Sequence, residues 1–127
     1  MFWKFGGFEF NANTRVLLSL NEEVVLEPKV ASLLCYLCQH PQKNISREVL
    51  FEQVWHGQIV TENAINRVVA LLRKALGDEG KVKQYIVTVP KIGYRFIAEP
   101  IVISPEKEQH KHPLFRTILS LLFFLVI

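Results

Sequence analysis

Cys35 and Cys38 form a C-x-x-C, a spacing that can hold a metal ion or cycle between dithiol and disulfide. Either chemistry needs further ligands, and the sequence offers none in register. No second cysteine pair follows, and His40, His56, His110 and His112 are scattered. Both cysteines fall on a helical pattern with Cys38 on its apolar side, so core packing is the expectation. His110 and His112 flank Lys111 in a polar stretch, a poor place for a cation. No nucleophile–base pair, glycine-rich phosphate loop or carboxylate cluster is present, so neither an enzyme nor a cofactor is expected. The side chains left with chemistry to do are amides and cations between residues 61 and 76: Asn63, Asn66, Arg67, Arg73 and Lys74. An amide can pair with adenine through two hydrogen bonds, and a guanidinium can pair with guanine or hold a phosphate. Asn66 suits the first, Arg67 and Arg73 the second, and Asn63 can reach a base or the backbone. Arg67 and Arg73 have the solvated or ion-paired helix surface as their structural alternative.

These residues need a helix to carry them. Ile65, Val69, Leu72 and Leu76 recur at helical spacing and leave the amides and cations on the other side. Thr61 is placed to cap the helix start, where free backbone N–H groups can meet a phosphate. The predicted helix runs over residues 62–76, with Gly77 at its end. Before it, Ser46 caps a second helix that buries Val49, Leu50, Val54 and Trp55 and is closed by Gly57. A first helix starts at Pro28 and carries Val30, Leu33, Leu34, Leu37 and Cys38 on one face until His40-Pro41 stops it. Trp55 is expected to pack under the loop that precedes the third helix.

The flanks read as strands. Phe8 and Phe10, then Val16, Leu18 and Leu20, then Val24 and Leu26 suggest three short antiparallel strands. After Gly77-Asp78-Glu79-Gly80, Tyr85, Val87 and Val89 lead through Lys91-Ile92-Gly93 to Tyr94, Phe96 and Ala98, a hairpin. The fold class is α+β: a winged helix-turn-helix with an N-terminal antiparallel meander, three helices and a C-terminal hairpin wing. Residues 1–99 form this domain, 100–113 a polar linker and 114–127 a hydrophobic segment.

Composition agrees with a nucleic-acid partner without requiring one. The 127 residues are half apolar, enough for a core, and carry a net charge of +3. Residues 1–60 hold five basic and six acidic side chains; residues 61–116 hold ten and six. The basic excess therefore lies with the third helix, the hairpin and the linker, which favours nucleic acid or an anionic membrane surface.

Several blocks occur in a telling order: Ser46-Arg47-Glu48-Val49-Leu50, Val54-Trp55, Val60-Thr61-Glu62-Asn63-Ala64-Ile65-Asn66, Leu72-Arg73-Lys74-Ala75-Leu76-Gly77-Asp78, and Tyr85 through the Gly93-Tyr94-Arg95-Phe96 return strand. Over residues 5–98 the chain resembles the DNA-binding domain of OmpR/PhoB-type transcription factors. The resemblance implies duplex DNA as partner, with the third helix in the major groove. It aligns base-reading positions with Asn63, Arg67, Val68 and Ala70 and puts Arg73 closer to phosphates. Val68 and Ala70 would touch thymine methyls, giving a partial A/T preference. Thr88 matches a backbone-contacting position. Lys91, at the wing tip, is the charged probe expected at a narrow minor groove. Lys81 and Lys83 are weaker phosphate candidates, and Arg95 is as fit for a structural role. The loop formed by His56, Gly57, Gln58, Ile59 and Val60 corresponds to the family's RNA polymerase contact; its structural alternative is a tight connection that orients the third helix.

Members usually have a phosphorylatable receiver in front, whereas this chain starts its first strand within a few residues of Met1. A leading winged helix, a linker and an apolar segment resemble the CadC/ToxR-type group, which implies an inner-membrane anchor with the DNA-binding domain cytoplasmic. Lys107, Lys111 and Arg116 precede the segment, in keeping with the positive-inside rule. Residues 117–127 are uncharged, but even from Leu114 the run is shorter than the ~20 residues that span a bilayer. It is expected to be the start of a transmembrane helix, with a buried or partner-binding helix as the alternative. A single module offers a small interface, about 600–1,000 Å², so a weak homodimer on adjacent half-sites is expected. The alternative function is a membrane-tethered winged-helix protein–protein interaction module.

Overall fold

A computed structural model describes residues 1–20 and 22–103. The element order is β1 (Phe2–Phe5), β2 (Phe8–Asn11), β3 (Val16–Leu18), β4 (Glu23–Val25), α1 (Pro28–Gln39), β5 (Asn44–Ser46), α2 (Arg47–Gln53), α3 (Glu62–Ala75), β6 (Ile86–Val89), β7 (Gly93–Phe96) and β8 (Ile101–Ile103). Two antiparallel sheets result, one in the order β4-β3-β2-β1-β8 and one in the order β5-β7-β6.

The first sheet is larger than the expected meander of three strands. Residues 2–5 pair along their whole length with residues 8–11, and Ile101–Ile103 closes the far edge against Phe2, Trp3 and Lys4. Both additions are short pieces bounded by Gly6-Gly7 or Pro100, and it is the pairing across the chain that makes them strands. Ile101–Ile103, which the sequence assigns to the linker, thus form an edge strand of the first sheet. Residues 104–113 of the expected linker and the hydrophobic segment 114–127 lie outside the described residues. Among the described residues no helix is long and apolar enough to cross a membrane.

The strand period of two puts Trp3, Phe5, Phe10 and Leu17 on the inner face. There they meet the α1 stripe of Val30, Leu33, Leu34, Leu37 and Cys38 within one core. Each fully buried large side chain contributes roughly 1.5–3 kcal/mol relative to leaving it in water. Trp3 stacks on Phe10 at 6.2 Å, and Phe5 meets Phe96 of β7 edge-on at 5.4 Å. Phe5 thus joins the two sheets.

α1 and α3 hold their expected limits within a residue, whereas α2 stops at Gln53, two residues short of the expected end at Trp55. Pro28 starts α1, and the hydroxyls of Ser46 and Thr61 accept the Val49 and Ala64 N–H groups as caps of α2 and α3. Gly57, at φ +74°, donates its N–H to the Phe51 carbonyl after α2. Val49 departs from expectation. It is 39% exposed, because seven residues make barely two turns and Leu50 alone within α2 is fully buried, with Val54 and Trp55 following its end. Trp55 is buried as expected, and its carbonyl accepts the Gln58 N–H of the next loop.

Cys38 is buried and Cys35 half-buried, both as free thiols. Burial pushes both thiols above the ordinary cysteine pKa, with neighbouring Cys35 adding to the shift at Cys38. That is the behaviour of small packing residues and opposite to that of a reactive thiolate. Among the described residues no three His, Cys, Asp or Glu side chains group as a metal site.

Candidate nucleic-acid interface

α3 is built to show one face. At about 100° per residue, Ile65, Val68, Val69 and Leu72 fall together and are buried against the core, packed on α1. Asn63, Ala70 and Lys74 centre the opposite, exposed face. Arg67 flanks them on one side, where its guanidinium meets Glu27 Oε2 at 3.5 Å. Both partners are more than half exposed, so the pair is loose and worth little. Asn66 and Arg73 flank the face on the other side, towards the wing.

One expected site residue does not belong to this surface. Val68 is 5% exposed and part of the core. The helical period puts it one turn before Leu72, so a thymine methyl has no access to it. Ala70 is exposed and keeps that option.

Arg73 is engaged within the domain. Its Nε and Nη2 donate to the Ile86 carbonyl, at 3.3 and 2.9 Å, and Nη2 also donates to Thr88 Oγ1 at 2.9 Å. Its guanidinium lies over the Tyr94 ring at 5.8 Å, and that of Arg47 over the same ring at 5.2 Å. A planar fork can make all these contacts at once; an ammonium could not. Thr88, exposed on β6, accepts from Arg73 and so keeps its own proton for an outside acceptor. The Tyr94 hydroxyl donates to Asn66 Oδ1 at 2.9 Å. The wing is therefore bonded to the helix that it flanks.

The helix start and the wing tip are open. The Thr61 hydroxyl is occupied by the Ala64 N–H, which leaves the Glu62 and Asn63 N–H groups without an intrahelical partner. At the wing tip the Ile92 N–H donates to the Val89 carbonyl, and Lys91 stands exposed at φ +67°. A non-glycine residue in that conformation is held by its surroundings. Gly93, next to it, runs so close to the Ile45 carbonyl that any Cβ there would collide with it. Lys81 is exposed, whereas Lys83 Nζ donates to the Asp78 carbonyl. Arg95, half-buried on β7, is opposite Val87 and Asn44 in the sheet. In the loop before α3, Ile59 is 99% exposed, an unusual place for a large apolar side chain.

Sequence reasoning assigned no role to Asp78 or Tyr94, which hold this arrangement together. Asp78 is 2% exposed, and its carboxylate accepts the N–H groups of Gln84, Tyr85 and Ile86 at 2.7 to 3.1 Å. Burial by itself would raise its pKa. The three donors and the nearby Lys83 outweigh that and hold it below the usual carboxylate range. Asp78 thus ties the end of α3 to the start of β6. The only sequence signal was an acid just after the helix-ending glycine.

Residues 21–96 match the family model described as transcriptional regulatory protein, C terminal. The chain belongs to that family. Its winged-helix fold is that of OmpR/PhoB-type DNA-binding domains. It is 36% identical over 87 residues to the transcriptional activator CadC of Escherichia coli, covering 68% of this chain and 17% of CadC. It is 34% identical over 102 residues to the cholera toxin transcriptional activator of Vibrio cholerae, covering 78% of this chain and 35% of that protein. The chain therefore spans about a sixth to a third of the length of these relatives. Among solved structures, the DNA-binding domain of E. coli CadC superposes with a TM-score of 0.73 at 28% identity, covering 80% of this chain and 96% of that one.

Proposed function

We propose that the chain binds duplex DNA sequence-specifically, with α3 in the major groove and the tip of the β6–β7 hairpin at the adjacent minor groove. The observation that carries this reading is the division of α3. Its apolar side is wholly taken up by the core, while Asn63, Asn66, Arg67, Ala70 and Lys74 stand exposed on a helix bonded to the wing through Arg73 and Thr88. Asn63 and Arg67 reach base edges, and Ala70 touches a thymine methyl. Arg67 is free to leave Glu27 because their exposed pair contributes so little. The open N–H groups behind Thr61, the Thr88 hydroxyl and Lys74 meet phosphates, and Lys91 enters the minor groove. Arg73 serves the site from behind, by bonding Thr88.

The segment 114–127 tethers the protein to the inner membrane, with the described domain on the cytoplasmic side; the basic residues before the segment support that orientation. The exposed loop from His56 to Val60, with Ile59 at its tip, meets RNA polymerase. A weak homodimer on adjacent half-sites supplies the affinity that one small module lacks.

The test is selection of random duplex DNA by the full chain in detergent at about physiological ionic strength, where non-specific binding is weak. A recurrent motif is expected for the native chain and none for Arg67→Glu at unchanged thermal stability. An enriched motif that survives Arg67→Glu would remove α3 as the reading element. Absence of any motif from the folded native chain would refute sequence-specific binding.

A further inference from the structure

The bond between Tyr94 and Asn66 bears on which base α3 reads. An amide is planar, with Oδ1 and Nδ2 on opposite sides of Cγ. Pairing with adenine through two bonds needs both atoms turned to one base edge, the oxygen to the N6 amino group and the nitrogen to N7. Here Oδ1 is turned inward to the hydroxyl of Tyr94, at 2.9 Å. Tyr94 cannot follow a base outward. It is 4% exposed, lies on β7 between its neighbours in the sheet, and has the guanidinium groups of Arg47 and Arg73 over its ring. Asn66 itself is exposed, and among the described residues its Nδ2 has no bond. What it offers outward is two N–H donors.

We propose that Tyr94 sets the specificity of Asn66: by holding Oδ1 it makes Asn66 a donor-only reader, directed to the paired acceptors N7 and O6 of guanine and away from adenine. This rests on the reading of α3 as the major-groove helix. Adenine places its N6 donor where guanine has O6, so an outward NH₂ meets one acceptor and one like donor there. Discrimination by a good base contact is worth about 1–3 kcal/mol, which is roughly 5- to 150-fold in affinity. Tyr94 is a positioning residue in this account, because it touches Asn66 and no base.

The experiment is the same selection in detergent, run on the full native chain and on Asn66→Ala, Tyr94→Phe and Asn66→Asp, each first checked for a cooperative thermal transition. Asn66→Ala identifies the operator position that Asn66 reads, as the one whose preference it flattens. At that position the native chain is expected to prefer guanine. Tyr94→Phe frees Oδ1, and the preference is expected to move towards adenine by about tenfold, with the other positions unchanged. Asn66→Asp keeps an acceptor for Tyr94 but has no donor, so guanine should give way to cytosine, whose N4 amino group a carboxylate accepts. If Tyr94→Phe does not fold, Asn66→Asp decides alone. Adenine preference in the native chain, or guanine preference kept by Tyr94→Phe or by Asn66→Asp, would overturn the proposal. A motif indifferent to Asn66→Ala would overturn it while leaving DNA binding by α3 intact. Absence of any motif would remove the parent reading and this one together.

Discussion

The two sheets of this domain are held by different physics. The five-stranded sheet is held by aromatic and aliphatic side chains: Trp3 on Phe10 within it, Phe5 on Phe96 of the other sheet, and Leu17 in the core that α1 shares. The three-stranded sheet also has its apolar anchors in Ile86, Tyr94 and Phe96. Its connection to α3, however, runs through polar groups: three N–H bonds to Asp78, the Arg73 fork on Ile86 and Thr88, and the Tyr94 hydroxyl on Asn66. Apolar packing tolerates small shifts, because dispersion and burial have little direction. Hydrogen bonds fix angles. A wing that must keep register with a helix across two DNA grooves is served by the second kind, and a supporting sheet by the first.

Four substitutions would break or sharpen that contrast. Trp3→Ala empties the centre of the apolar layer and should cost about 4 kcal/mol, with a thermal midpoint that drops by a similar amount at acid and neutral pH. Asp78→Ala leaves three backbone donors without an acceptor and should cost about 3 kcal/mol at neutral pH. Its loss depends on pH. The folded carboxylate has the lower pKa, so the stabilisation is full above the unfolded value of about 4 and fades as pH falls through the folded value. Denaturant melts should therefore show native chain and variant converging in acid; parallel curves would remove the charge of Asp78 from the account. Arg73→Lys keeps the charge and loses the fork, with an expected cost of about 1.5 kcal/mol and weaker DNA binding through a misplaced Thr88. Thr61→Ala removes only the α3 cap bond to the Ala64 N–H and should cost about 1 kcal/mol. For these two, a urea titration of the folded signal measures the cost directly. A negligible change in Arg73→Lys would mean that the wing is held by apolar anchors after all, and the contrast would fall.

The position of Arg73 also affects how charge reversal should be used. Arg67 sits in a loose surface pair, so Arg67→Glu tests DNA contact with little change in stability, within about 0.5 kcal/mol. Arg73→Glu would put a carboxylate against the Ile86 carbonyl and the Tyr94 ring, so a lost signal there would report a damaged fold as readily as a lost contact.

The sequence by itself determined the helices, their caps and the wing hairpin. Each is written in local terms: Pro28 at a helix start, Ser46 and Thr61 as caps, stripes of period 3.6, glycines at the turns. It also placed Asn63, Asn66, Arg67 and Ala70 on the exposed side of α3. It left open what depends on residues far apart in the chain. Residues 2–5 become a strand by pairing with residues 8–11, and Ile101–Ile103 only by pairing with Phe2, Trp3 and Lys4 from the other end of the domain. Val68 differs from its exposed neighbours only in the direction of the core. Arg73, which reads as another surface cation, becomes a bracket only because the Ile86 carbonyl and Thr88 arrive beside it. Tyr94 gained its role in the same way, through Asn66 28 residues before it, and Asp78 gained its own when the chain turned back six to eight residues on. A helical period fixes which residues share a face. What that face meets, and so whether a polar side chain is spent inside the domain or remains for DNA, is decided by the tertiary structure.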